Sequence, residues 1–477
     1  MNNERALSRP ALLLFGLLLV VSGFLYLFRL GASPLADYDE ATYAQVIKDT
    51  EREGAFGTLY RYDGLWFEKP PLQFWLAMGA EKVFGENDFA LRLPSALSGI
   101  VCVALVYLIA LLVSESTSVA LLAGVILLAT GSFLDAARQL RMDVPVTAAL
   151  LFSFYAFLRG RKDARWYLGI GIGIGIGILI KSVIGLFVLP LILLWSLQDR
   201  DFSWLKNAYF WYGAVLSFLI ILPWHLYEGL KFGSVFWDPY LLHHVLDRFA
   251  SDVNGGSMSN WGYAKYTFLF GFPWVAVFLV GCLSLCRRET LRVPAKRVLA
   301  TVASCAIFIL AVFAFAKTKV TYYVIPAIPF IALFCALWFQ NIALSCRTNG
   351  RRAALRIGVL VLLVVGVGNM VYVGYHFQSD LAVNASIVYD EYRIGKAIAE
   401  RPYITDVRAF QYFYWETLRY YSDRVITIMK PDDTASAPFF MIIETYPYHQ
   451  KPFPPDIMEH LSVVYEGEAI TLLEFKP

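Results

Sequence analysis

The sequence predicts a multi-pass α-helical membrane protein carrying a small α/β soluble domain at its C-terminal end. Three observations predict it. Of 477 residues, 58% are hydrophobic and only 17% are charged, whereas soluble domains carry about a quarter charged residues. The charges gather between long apolar runs instead of spreading over a surface. Past residue 375 the composition changes to alternating and mixed patterns. These divide the chain into a membrane domain, 1–375, and an outer domain, 376–477. The net charge of +3 is small and dispersed, which argues against a nucleic-acid partner.

Apolar runs able to cross about 30 Å of hydrocarbon fall near 11–30, 93–113, 117–134, 144–160, 166–180, 182–197, 208–227, 264–285, 298–316, 321–340 and 354–375. That gives about eleven crossings, with Lys181 interrupting the stretch from 166 to 197. The first run lacks a small-residue cleavage site and reads as a retained helix. Basic clusters at Arg5 and Arg9, Arg159 to Arg165, Arg287 to Arg297 and Arg347 to Arg356 then share one side. That side is cytoplasmic by the bias of Lys and Arg, which puts the N-terminus inside and the C-terminal domain outside. The six cysteines lie in spans or cytoplasmic loops, so neither a disulfide framework nor a CxxC metal site is implied.

The outward loop 31–92 reads as interfacial helices. Asp39 to Glu53 carries Tyr43, Val46 and Ile47 at helical spacing. Leu72 to Phe84 is a second helix entered through Pro70-Pro71. Such helices are expected to lay their apolar faces in lipid or to pack as a lid on the bundle. In the tail, Ala385 to Glu400 reads as a helix, and 424–428, 439–444 and 470–475 read as strands. The glycines at 169, 171, 173, 175 and 177 lack a phosphate-loop ending and predict close helix packing.

Ionisable groups close to outward span ends are costly and mark function. They are Asp39 and Glu40, Glu68 and Lys69, Arg138 to Asp143, His243 to Arg248, and Lys317 and Lys319. Together they supply what transfer from a lipid phosphate needs. Lys69, Arg248 and Lys319 could clamp an anionic leaving group, and Asp39 could deprotonate or orient an incoming hydroxyl. Glu68 with His243 or His244 could bind a divalent metal or only hydrogen-bond. His244 and Arg248 are four apart and share a helix face, whereas His243 is less well aligned. Glu40 either joins Asp39 as a catalytic carboxylate or braces the loop.

Asp39-Glu40-Ala-Thr-Tyr43-Ala, Phe67-Glu68-Lys69-Pro70-Pro71-Leu72, Arg141-Met-Asp143-Val-Pro145, Gly271-Phe272-Pro273-Trp274 and Lys317-Thr-Lys319-Val-Thr-Tyr322-Tyr323-Val-Ile-Pro326-Ala-Ile-Pro329 resemble the bacterial protein-mannosyltransferase-like superfamily. They look most like the aminoarabinose transferases that modify lipid A. The resemblance implies a GT-C glycosyltransferase of the bacterial inner membrane with its active site facing the periplasm. Its donor would be a polyprenyl-phosphate-linked sugar, and its acceptor a lipid, glycan or protein. It implies Asp39 near the reacting centre and Asp143 as a second functional carboxylate. It implies a donor-phosphate site at Lys69, Arg248, Lys319, Lys317 and Tyr323. It also implies a metal-associated position, for Zn, Mg or Mn, at Glu68 with His244 or His243. Thr42 stands where the lipid A enzymes have arginine, Lys181-Ser182 where they have lysine-glycine, and the tail looks shorter. These departures bear on sugar and acceptor rather than on fold. The rival function is a flippase for a polyprenyl-linked sugar. It would use the same clamp without chemistry, but favours charges distributed through membrane depth.

Overall fold

The structure is a computed structural model of the whole chain. It describes residues 9–36, 39–62, 64–241, 258–286, 293–403, 405–410, 416–429, 438–449 and 458–476. The helices are α1 (Arg9–Leu27), α2 (Asp39–Glu53), α3 (Leu72–Phe84), α4 (Asp88–Ser114), α5 (Thr117–Leu128), α6 (Gly131–Ala137), α7 (Asp143–Gly160), α8 (Leu168–Lys181), α9 (Val188–Asp199) and α10 (Ala208–Phe232). They continue as α11 (Ser234–Trp237), α12 (Asn260–Phe270), α13 (Trp274–Leu285), α14 (Val293–Phe315), α15 (Ile328–Ser345), α16 (Asn349–Ala399), α17 (Glu416–Ser422) and α18 (Thr445–His449).

Each of the eleven apolar runs falls on helix. Among the described residues, seven helical stretches are long and apolar enough to cross a membrane, or nine if the bent pairs each count as one. The pairs are α5 with α6, bent by 70°, and α12 with α13, bent by 104°. The stretch Ala164–Asp199, taken as one 36-residue span by length and composition, folds back on itself. Arg161, just ahead of it, bonds Asp199 at its far end at 2.6 Å, so both ends lie on one side. The reversal sits at Ser182, with φ 47°, and a Cβ on Gly177 would lie 2.9 Å from the Cα of Gly185.

The alternating glycines serve two neighbours at once. Gly169 and Gly173 face Ala156 and Ser153 of α7, while Gly171 and Gly175 face Gly213 and Ile220 of α10. A Cβ on Gly171 would overlap the carbonyl of Gly213. The expected helix packing is therefore two-sided. Outward on α1, α10 and α16, exposed residues such as Leu13, Val20, Phe218 and Val364 form the apolar surface that lipid requires.

The first outward loop departs from its expected lipid contact. Tyr43, Ala44, Val46 and Ile47 of α2 pack with Trp66, Phe74, Leu91, Leu140 and Tyr421 in one protein core. Their apolar face is spent on α3, α4 and the tail rather than on bilayer.

The tail carries a five-stranded sheet ordered β4-β3-β5-β7-β6, from β3 (Val407–Ala409), β4 (Ile426–Ile428), β5 (Phe439–Glu444), β6 (Leu461–Glu466) and β7 (Ile470–Phe475). β3 pairs parallel with β4 and β5, and β7 pairs antiparallel with β5 and β6. α16 runs 51 residues without a break, joining the last span to this domain. The domain is docked by α17. The backbone N–H of Leu35 donates to the Tyr421 hydroxyl at 2.9 Å, Thr417 donates to the Leu35 carbonyl at 3.2 Å, and Tyr421 donates to Asp88 at 2.7 Å. Lys48 and Arg52 of α2 both pair with Asp423. The Arg52 hydrogen bond is the main force lowering its carboxyl to about 2.

Candidate active site

Asp39, Glu40, Glu68, Lys69, Arg141 and Asp143 lie at one end of the helix bundle. Opposite them lie the basic loops, where Gln198 donates to the Arg297 carbonyl close to the Arg161–Asp199 pair.

The floor of the site is an ion pair hidden from solvent. Glu40 and Arg92 have side chains 1% and 3% exposed. One Glu40 oxygen accepts from Arg92 Nε and from the Leu140 backbone N–H, both at 2.7 Å. The other accepts from the Ala36 N–H at 2.7 Å and Arg92 Nη2 at 2.8 Å. Burial raises the Glu40 carboxyl, but the Arg92 charge, its hydrogen bonds and the two backbone donors together bring it below its ordinary value. A carboxylate this enclosed has the geometry of a brace, and of the two roles open to Glu40 that is the one its surroundings match. Arg92 also donates to the carbonyls of Leu30, Ser33 and Pro34, which fixes the chain entering α2.

Asp39, one residue earlier, is 46% exposed. Its Oδ2 accepts from Arg141 Nη2 at 2.7 Å. Arg141 is buried and spans two carboxylates, with Asp143 3.8 Å from its Nε. Its guanidinium lies 3.5 Å over the Tyr322 ring, and Tyr322 donates towards Asp135 and Gln139. Burial disfavours the Arg141 charge, but Asp39, Tyr322, Asp143 and Tyr43 outweigh that and raise it above the ordinary range. Asp143 accepts from Lys181 Nζ at 2.6 Å, and Lys181 lies over the Tyr323 ring. Thus Asp39, Asp143 and Tyr323 are brought together by Arg141 and Lys181. Arg141 was visible near an outward span end and Lys181 as a break in an apolar stretch, but no local spacing shows whom they pair with.

Glu68 and Lys69 sit half-buried between anchors. Trp66 packs edge-on to Tyr43 and Phe74, and Phe67 packs on Phe232 and Phe236. Two aromatic anchors in opposite cores hold the Glu-Lys turn, and Lys69 Nζ donates to the Glu68 carbonyl at 3.2 Å. Burial raises the Tyr43 phenol well above its ordinary value. Asp39 adds to this, Arg141 opposes it, and Asp143 and Glu68 add further. Tyr43 therefore lies within electrostatic reach of both halves of the site.

Other expected residues make local contacts or lie outside the described residues. Lys319 donates to the Ala316 carbonyl at 2.5 Å, serving the end of α14, and Lys317 is exposed. Arg138 donates to the carbonyls of Leu25 and Tyr26, closing the end of α1. His243, His244 and Arg248 lie outside the described residues. Among the described residues no group of three or more His, Cys, Asp or Glu is placed to hold a metal ion.

Arg141→Lys is expected to lower stability by about 1–3 kcal/mol. An ammonium cannot reproduce a planar fork that bonds Asp39, approaches Asp143 and stacks on Tyr322. Thermal unfolding of the purified variant in detergent checks this.

Residues 68–227 match the family model described as dolichyl-phosphate-mannose-protein mannosyltransferase. An undecaprenyl phosphate-alpha-4-amino-4-deoxy-L-arabinose arabinosyl transferase 2 of Proteus mirabilis is 26% identical over 383 residues, covering 78% of this chain and 66% of that protein. An uncharacterized protein of Aquifex aeolicus is 28% identical over 346 residues, covering 69% of this chain and 65% of the other. The matches thus span just under two thirds of these relatives. Among solved structures, ArnT from Cupriavidus metallidurans bound to undecaprenyl phosphate superposes with a TM-score of 0.73 at 18% identity, over 98% of both chains. The apo oligosaccharyltransferase of Archaeoglobus fulgidus gives 0.54 at 14% identity, over 93% of this chain and 71% of that one. The chain is a multi-pass membrane protein with the GT-C fold and a small C-terminal sheet domain, similar in sequence and architecture to the protein-mannosyltransferase-like superfamily and to its aminoarabinose transferases.

Proposed function

We propose that the chain is an inner-membrane glycosyltransferase. It takes an aminoarabinose-like pentose or hexose from a polyprenyl phosphate and transfers it to a lipid A, glycan or protein acceptor at the periplasmic face. The observation that carries this reading is the contrast between two adjacent carboxylates. Glu40 is sealed in a brace, while Asp39 is presented half-exposed by a buried arginine. A site that only held a lipid phosphate would have no use for a carboxylate so presented. Relatives whose names state arabinosyl transfer, and a structural neighbour bound to undecaprenyl phosphate, support the donor class. The basic loops opposite the site support a cytoplasmic N-terminus and an outward C-terminal domain, with about eleven crossings.

In this reading the acceptor hydroxyl donates to Asp39 as its oxygen approaches the anomeric carbon. The new C–O bond forms as the bond from that carbon to the phosphate oxygen breaks. The proton passes to Asp39, and the electron pair leaves on the polyprenyl phosphate. Lys69, with Arg248, Lys319, Lys317 and Tyr323 as further candidates, stabilises the leaving phosphate. Arg141 and Lys181 hold Asp39 and Asp143 in register. A divalent ion is proposed at Glu68 with His244 or His243. It would polarise donor phosphate oxygens. Only Glu68 of that set lies among the described residues, so no step is assigned to it.

Purified chain supplied with polyprenyl-phosphate aminoarabinose and lipid A is expected to yield free polyprenyl phosphate and sugar-modified acceptor in equal amounts. Movement of intact donor across vesicles with no glycosidic cleavage would instead identify a flippase.

A further inference from the structure

A cavity of about 650 Å³ lies on one flank of α2, where α2, the turn between α3 and α4, α16 and α17 meet. Its size suits a small organic ligand. It is separate from the Asp39 site: its wall on α2 is the stripe Ala44, Lys48, Glu51 and Arg52, which includes neither Asp39 nor Tyr43.

Its charges are unequal. Glu51, Glu81, Glu86 and Asp88 line it. Of its cations, Lys48 and Arg52 are already bound to Asp423. Glu81 is 7% exposed, and its Oε2 is buried with no hydrogen-bond partner. A buried carboxyl oxygen left unmatched is costly, and here it borders a cavity large enough to hold what would match it.

The remaining wall says what kind of cation fits. Tyr392, Tyr420 and Tyr421 contribute aromatic surface. Two ammonium groups of the chain itself rest there, Lys48 over Tyr420 at 5.3 Å and Lys396 over Tyr421 at 5.7 Å. Rings and dispersed carboxylates recognise an ammonium group. A hard divalent ion needs several oxygens converging within about 2.6 Å, and no such convergence of carboxylates occurs among the described residues.

We propose that this cavity binds a small ligand bearing an ammonium group, with Glu81 as its principal counter-charge and the tyrosines as its walls. The proposal stands independently of the transfer reaction. Burial raises the empty-site Glu81 carboxyl to about 8, helped by Glu51, Glu86 and Asp88, and the Glu51 carboxyl is raised as well. A cation binds the ionised form. Affinity therefore rises with pH through that value; the other titratable groups facing the cavity are Lys48, Arg52, Lys396, Tyr392, Tyr420 and Tyr421.

Calorimetry on the full chain in maltoside micelles tests this with choline, whose charge does not titrate, and with spermidine. Both are expected to bind. Choline affinity is expected to rise about tenfold from pH 7 to pH 9, following ionisation of a group near 8. In Glu81→Gln the rise is expected to vanish, and Glu86→Gln is expected to weaken choline at both pH values. Binding of neither amine to the wild type would overturn the proposal. So would capture of inorganic phosphate in their place, or an unchanged pH slope in Glu81→Gln.

Discussion

Replacing Asp39 by Asn is expected to lower sugar transfer by about 10²–10⁴-fold, the contribution of a positioned general base. The amide keeps the shape of the carboxylate and can still accept from Arg141, so the loop stays in place. What it loses is the capacity to take a proton as the acceptor oxygen bonds to carbon. In the proposed reaction the polyprenyl phosphate would meet the cationic side of the site, so donor affinity is expected to be little changed and the loss to fall on kcat. The measurement is turnover of radiolabelled donor at saturating acceptor, wild type against variant. Undiminished turnover would remove Asp39 from the reaction and leave it a loop residue.

The largest loss of stability is expected at Arg92. Arg92→Met leaves Glu40 ionised, 1% exposed and without its cation, a change of about 3–5 kcal/mol for one partner of a buried pair. It also strips the donor from three backbone carbonyls, at Leu30, Ser33 and Pro34. Thermal unfolding in detergent, read by intrinsic fluorescence, checks this. Glu40→Gln is expected to be milder, because an amide still accepts from Leu140 or Ala36. Acid should act like the Glu40 substitution. The folded carboxyl titrates below its unfolded value, so its stabilisation is complete above about pH 4.3 and drains as pH falls through the folded value. A melting temperature for Arg92→Met equal to that of wild type would show that the pair is neutral to the fold.

The parts legible in the sequence were those with a local period. α2 at Asp39–Glu53 and α3 at Leu72–Phe84 fall where spacing and the proline pair put them. The apolar runs become helices because lipid leaves the backbone no other partner. What stayed hidden was pairing. Arg92 lies 52 residues from Glu40, at the last position of what reads as the first outward loop, and nothing nearby signals its partner. Arg141 and Lys181 stood out as charges near hydrocarbon, yet their joint hold on Asp143 exists only after two helix turns meet. The short β3 carries three residues, too few for alternation to show. β6 has a half-exposed face that blurs the same signal. The expected lipid contact of α2 failed because an amphipathic face records only that something apolar covers it. Here the cover is protein.

The hydrogen bonds around Leu35 also set an order in time. Glu40 must wait 100 residues for the backbone of Leu140, and Leu35 waits 386 residues for Tyr421. At ribosomal speeds of about 5–20 residues per second, the second interval is roughly 20–80 s. Through that interval the loop bearing Asp39 waits without its final clasp. The first-made part of the site is thus the last to be locked, and a nascent chain that stops before α17 has its helix bundle but not its finished pocket.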